Sequence, residues 1–191
     1  MRKVFFVAVV AIAVCSCTTV RLTPDEHDAL KVLRRYLYLD KNAAPTGAER
    51  SVPMLDLVVW ETEPAWDTVL VVSGWTMGRP QFAGGKVTAT VRYDIAGVMA
   101  PGEFVPAETS DTAYLKIIEE NRTIAYTLVP ASNGWKIESP VTMPHIGFAA
   151  ARKSQEELGH ENVVQALDDA EYIAKLKGQR AGHCNCERQD F

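Results

Sequence analysis

Between residues 87 and 95 the chain alternates without a slip. Val87, Ala89, Val91, Tyr93 and Ile95 are apolar; Thr88, Thr90, Arg92 and Asp94 are polar. Successive side chains of a strand point to opposite faces, so a strict period of two demands a strand with one apolar and one polar side. A strand of this kind is covered on one side only, which is the usual condition of an antiparallel sheet. Other segments fit beside it. Residues 68–75 form a nearly continuous apolar run, as expected of a strand buried on both faces. Leu55, Leu57 and Val59 alternate with Asp56 and Val58. Residues 113–119 and 123–129 read as two further strands, joined by a tight hairpin over 119–122. Ser132-Asn133-Gly134 then turns the chain into Trp135-Lys136-Ile137, which ends at Pro140. Short strands in series with turn signals predict an antiparallel meander.

Helical patterning flanks this region. Thr23 can cap, Pro24 suits a first helical position, and Glu26 stands three residues after the cap. Leu30, Leu33 and Leu37 recur at helical spacing, with Ala29, Val32 and Tyr36 beside them, up to an end near Asp40. A loop with Pro45 and Gly47 is expected over 41–50. After Pro140, residues 146–158 read as a helix closed by Gly159, and Asn162 with Gln165 as a second cap. Val163, Ala166, Leu167, Ala170, Ile173 and Ala174 make a broad apolar face that Gly178 is expected to stop. The predicted fold class is α+β: an N-terminal helix packed on a curved antiparallel β-meander, followed by C-terminal helices. The expected divisions are an α+β domain over 24–147, C-terminal helices over 148–178 and a loose tail over 179–191.

The N-terminus carries an address. Arg2 and Lys3 precede an uninterrupted apolar run over 4–14, and the small Ser16 stands just before Cys17. Positive start, apolar middle and small-residue exit is the layout of a secretory signal. As a helix the run reaches about 16 Å, short of a hydrocarbon core of about 30 Å. Val14-Cys15-Ser16-Cys17 resembles the lipobox of bacterial lipoproteins, with an aliphatic residue at −3 and a small one at −1. Cys15 fits less well as acceptor because the branched Val14 would be its −1 residue. The resemblance implies lipidation of Cys17 by a diacylglycerol thioether, usually with a third acyl chain on its amine. Two or more chains hold a protein firmly to a bilayer, where one is marginal. Residues 1–16 would be the signal peptide and 17–23 a short lipidated tether. Cleavage would leave 18 basic against 24 acidic residues, a net charge of −6. Nucleic acid, which needs a basic footprint, is not an expected partner. The expected partners are the membrane, through the anchor, and another envelope protein. The expected location is the bacterial cell envelope, facing periplasm or cell surface.

One capped helix, then a curved sheet whose last strand enters through Asn133-Gly134 and reads Trp135-Lys136-Ile137, is similar to the NTF2-like (cystatin-related cone) superfamily. The resemblance implies a pocket between helix and sheet, which some members use for isomerase, cyclase or dehydratase chemistry and many use only to bind. If the polar face of the 87–95 strand lined such a pocket, Asp94 would be the base and Arg92 an anion contact. The plainer expectation is that both lie on the solvated side of a half-buried strand.

Other chemistry is weaker. His183, Cys184 and Cys186 place an imidazole and two thiols close together, a donor set that suits zinc or copper. One short tail rarely supplies four tetrahedral ligands, and in an oxidising envelope the thiols read first as spare or disulfide-forming. A bridge between Cys184 and Cys186 would close a small strained ring. The GRPQFAGGK stretch, residues 78–86, lacks the first glycine and the hydroxyl of a phosphate-binding loop and reads as a hairpin loop. Trp60, Trp66, Trp75 and Trp135 read mainly as core. Trp66, between Pro64-Ala65 and Asp67, is the one expected to be exposed and free to stack on a ligand such as a sugar. No cofactor is expected, and no serine or cysteine has a recognisable catalytic partner. The leading functional expectation is therefore a tethered, non-catalytic binding or assembly module, with a small-molecule pocket using Asp94 and Arg92 as the alternative.

Overall fold

The computed structural model describes residues 23–43 and 48–181. The signal, Cys17, residues 182–191 and the donor set of His183, Cys184 and Cys186 lie outside the described residues. Helix α1 (Pro24–Asn42) begins with the capping box read from the sequence: Thr23 Oγ1 accepts from Glu26 N, and Glu26 accepts from Thr23 N at 2.7 Å. It buries Ala29, Leu30, Leu33, Tyr36 and Leu37 along one face. Helix α2 (Ala48–Leu55) follows, with Pro53 inside it.

A curled, mixed seven-stranded sheet forms the body. Its strands are β1 (Val69–Met77), β2 (Gln81–Ala83), β3 (Lys86–Ala100), β4 (Glu103–Pro106), β5 (Thr123–Ala131), β6 (Gly134–Ser139) and β7 (His145–Gly147). Their order is β6-β5-β3-β1-β7, with β2 and β4 also paired to β3. All pairings are antiparallel except β1 with β7. That parallel pair departs from the expected pure meander. Helix α3 (Thr112–Asn121) lies between β4 and β5; α4 (Phe148–Glu157) and α5 (Glu161–Ala181) close the described chain.

The side chains of the sheet divide into two cores. The inner face, with Leu70 and Val72 of β1, alternate residues 87–95 of β3, and Ile124, Tyr126 and Leu128 of β5, packs on α1 and α2. The outer face, with Val69, Val71, Met99, Phe104 and Ile146, packs on Phe148 and Ala151 of α4 and on Val163 and Leu167 of α5. Two adjacent bulges make this division possible. Val71 opposes Gly97 and Val72 opposes Ile95, so Ala96 is extra; Gly74 opposes Asp94, so Ser73 is extra. Each extra residue reverses the strand's parity and sharpens its twist. Val98 therefore rejoins the inner face, and Met99 the outer one.

Several expectations are corrected. Residues 113–119 form no strand but most of α3, because Asp111 caps it (Oδ1 accepts from Ala113 N at 2.8 Å) and Tyr114, Ile117 and Ile118 share one side. The alternation at 55–59 yields only a single parallel bridge between Val58 and Ile137, with Leu55 ending α2. Asn162 lies within the first turn of α5 rather than at its cap, the carbonyl of His160 accepting from Val163 and Val164. Gly178 does not stop α5, which continues to Ala181, past the expected start of the tail.

Helices α4 and α5 are tied by Arg152, whose Nη1 lies 2.9 Å from Asp168 and 2.5 Å from Glu171. The hydrogen bond from Arg152, aided by Lys175, holds the Glu171 carboxyl below the usual carboxylate range against a smaller opposing effect of burial. A depressed carboxylate binds fewer protons folded than unfolded, so its contribution is present above the unfolded value and lost as pH falls through the folded one. Arg152→Ala is expected to cost about 1 kcal/mol at pH 7. The deficit should shrink below about pH 4, where carboxylates protonate. Urea unfolding of both forms at pH 7 and pH 3 checks it.

Candidate functional site

The outer face of the sheet is only half covered. Helix α5 buries Val163 and Leu167 and then diverges, leaving a cleft of about 500 Å³ between its C-terminal half and the sheet. The sheet wall is the double bulge itself: Ser73, Asp94 and Ala96, with Pro106 at the end of β4 and Arg122 at the end of α3. The helix wall is a row of small residues, Ala166, Ala170, Ala174 and Gly178, flanked by Ile173 and Asp169. The four-residue spacing follows the helical repeat, so the small side chains line up and keep the wall shallow.

The bulge at Ala96 and the one at Ser73 bracket Asp94. Its carboxylate lies across Gly74 of the neighbouring strand, where a Cβ would stand 3.7 Å from Oδ2. Neither the Asp94 carboxylate nor the Arg122 guanidinium has a hydrogen bond or ion pair among the described residues. Asp169 accepts from Gln165 at 3.0 Å. Glu108 pairs with Lys177 across one end of the cleft, and that hydrogen bond outweighs burial and holds the Glu108 carboxyl below its ordinary range. Both partners are more than half exposed, so the pair is screened and contributes little to stability. The cleft thus offers an apolar strip of small side chains and two unpaired groups of opposite charge.

Asp94 and Arg92 both lie on the solvated side of β3, away from α1. Only Asp94 lines the cleft; Arg92, two residues along, stands outside it. The cation that the structure brings to Asp94's side is instead Arg122, which sequence patterning missed because α3 and the bulges position it. Ser73 donates its hydroxyl to the Asp94 carbonyl at 3.2 Å and is no activated nucleophile. His145 is buried on the opposite face, and His160 Nδ1 is bonded to Gln155 Oε1 at 2.9 Å, so neither imidazole reaches the cleft. The arrangement can bind and orient; it does not place a base against a nucleophile.

A second polar cluster, unforeseen from sequence, is sealed inside. Both carboxylate oxygens of Asp40, at the end of α1, accept from His145 N at 3.2 Å, and its Oδ2 lies 3.6 Å from His145 Nδ1. The imidazole stacks on Tyr93 with ring centres 3.9 Å apart, and Tyr93 Oη meets Tyr126 Oη at 2.7 Å. Burial, then the neighbouring Tyr126 and Asp40, push the Tyr93 phenol far above its ordinary range. Asp40 and His145 are each about 1 % exposed, so no solute reaches them. The cluster is a tie between α1 and β7.

The four tryptophans are all half-buried rather than exposed. Trp60 packs edge-on to Tyr36 and Trp135 to Phe82. Trp66, expected to be exposed, instead lines a smaller depression of about 400 Å³, together with Asn121 and Thr123, the chain neighbours of Arg122. Among the described residues no group of three metal-binding side chains gathers, and no helix is long and apolar enough to cross a membrane. No family model, curated protein or solved structure matches this chain.

Proposed function

We propose that the chain is a lipid-anchored protein of the bacterial cell envelope, held by Cys17 and facing the periplasm or cell surface, whose domain is a non-catalytic binding module working through the cleft beside α5. The observation that carries the binding part is that Asp94 and Arg122, neither with a partner among the described residues, line the sheet wall of a cleft whose helix wall is an apolar strip of small side chains. Unpaired charges of opposite sign beside an apolar wall favour a ligand that carries both polar groups and an apolar surface. The cleft is open, so it does not exclude water as an active site that stabilises developing charge normally must. The likeness to NTF2-like domains enters only as layout, with α1 across the inner face of a curled sheet. The space a cone pocket would occupy is filled by Tyr36, Tyr93 and Tyr126, and Asp94 and Arg92 face the other way. A cone-pocket enzyme is therefore the less supported reading.

Gentle detergent extraction from the native host, followed by mass spectrometry of intact complexes, tests anchor and cleft together. The expected result is a chain beginning at an acylated Cys17 with a bound species. Asp94→Asn with Arg122→Ala should reduce that species at least tenfold, and Arg92→Ala should retain it. An unmodified Cys17 or a retained leader overturns the anchor. A bound species indifferent to the double substitution, or no bound species at all, overturns the cleft.

A further inference from the structure

The depression beside Trp66 has a different character, and its parts fit one kind of occupant. It is lined by Trp66, by Glu120 and Asn121 at the end of α3, by residues 123–125 at the start of β5, and by residues 140–143, the segment after β6. Two of its lining residues hold side-chain groups, Trp66 Nε1 and Thr142 Oγ1, that are buried without a hydrogen-bond partner among the described residues. Thr142 is 8 % exposed. Buried polar groups are nearly always satisfied, so two orphans on one depression point to a missing partner.

The backbone beside them is also open. Arg122, just before β5, and residues 124, 126 and 128 within it take the hydrogen-bonded positions opposite β3, as the bond from Tyr93 N to the Arg122 carbonyl fixes. The odd-numbered residues therefore direct their N–H and C=O groups to the other side, where β6 lies. But β6 reaches β5 only as far as Thr127, opposite Ser139, before the chain leaves through Pro140. From there the outward N–H and C=O groups of Ala125 and Thr123 have no strand beside them among the described residues. An open strand edge offers donors and acceptors at main-chain spacing, and an indole N–H and a threonine hydroxyl flank it.

We propose that this edge binds an extended peptide segment of a partner protein, which continues the sheet where β6 stops, pairs with Ala125, and satisfies Trp66 Nε1 and Thr142 Oγ1 with its own backbone groups. Strand addition draws affinity from main-chain hydrogen bonds and specificity from flanking side-chain pockets. A peptide carbonyl accepts from the indole N–H, and either peptide group suits the hydroxyl. The site shares no lining residue with the α5 cleft, although Arg122 of that cleft stands between Asn121 and Thr123 of this one, and it does not rest on the anchor.

The test selects binders to the full chain from a displayed library of unconstrained nine-residue peptides. Enriched peptides are expected to slow hydrogen exchange at the Ala125 amide. Trp66→Phe, which keeps a ring but removes the donor, should weaken them at least tenfold while leaving the melting temperature of the free protein unchanged, because that donor is unpaired there. Thr142→Val should act in the same direction, and Asp94→Asn, in the α5 cleft, should have no effect. Peptides that bind both single variants as tightly as wild type, peptides lost with the cleft substitution instead, or no binder at millimolar concentration would overturn the proposal. So would an Ala125 amide already protected in the free chain and released on deleting residues 182–191, which would give the edge to this chain's own tail.

Discussion

Asp40→Ala is expected to destabilise the fold by about 3–5 kcal/mol, the combined loss of a buried hydrogen-bond acceptor and of packed side-chain volume. The carboxylate is 1 % exposed and is the acceptor for the His145 N–H, the first residue of β7. Alanine leaves that N–H buried without a partner, which alone costs about 1–3 kcal/mol. It also opens a void against an imidazole already stacked on Tyr93. Since β7 is only three residues long and is the parallel edge of the sheet, it has little else to hold its register. Leu70 N donates to the Pro144 carbonyl just before it, so slackening at His145 reaches β1 directly. Asp40→Asn keeps an oxygen where the His145 N–H can find it and should recover at least half of the loss. Urea unfolding midpoints for the three forms check this. A change under about 1 kcal/mol for the alanine variant would mean that the cluster does not tie α1 to β7.

What the sequence made legible, and what it hid, follows from the range of the forces involved. The capping box of α1 and the alternation of β3 are local: four or nine consecutive residues carry the whole signal, and both stand in the structure. The turn through Asn133-Gly134 between β5 and β6 was equally local. Helix α3 was misread because Tyr114, Ile117 and Ile118 fit a strand nearly as well as a helix over so short a window, and the cap at Asp111 decides it. Strands β4 and β7 are four and three residues long, too short to show a period, and exist because a neighbour pairs with them. The cleft was half legible. The polar face holding Asp94 was plain, but nothing local says that α5 returns beside Asp94 and not Arg92, since the bulges at Ser73 and Ala96 aim that wall. His145 has no partner near it in the sequence; Asp40 lies 105 residues earlier and meets it only once the chain is folded.

Gly97→Ala should rank with the Asp40 substitution, at about 3 kcal/mol or more, although it adds a single methyl group. Gly97 sits beside the Ala96 bulge, where β3 is sandwiched between β1 and β4, opposing Val71 on one side and Pro106 on the other. A Cβ there would stand 2.6 Å from two ring atoms of Phe104 and nearer still to the carbonyl oxygen of Val105. The ring might swing aside in a looser place, but Phe104 is 8 % exposed within the outer core, against Val163 and Leu167 of α5. The carbonyl is main chain and cannot rotate away without breaking the β3–β4 ladder. Relief therefore requires β4 to peel off the sheet, carrying Pro106 out of the cleft wall. Gly178→Ala is the contrast. Nothing lies within 4 Å of its Cβ position, and it stands inside α5, so alanine should stabilise by about 0.5–1 kcal/mol through helix propensity. The same methyl group should thus act with opposite sign at two glycines lining or adjoining one cleft. Thermal unfolding measures the sign of each. Backbone amide shifts in the Gly97 variant should change most along 103–106, and a melting temperature within a few degrees of wild type would show that β4 does not approach β3 this closely.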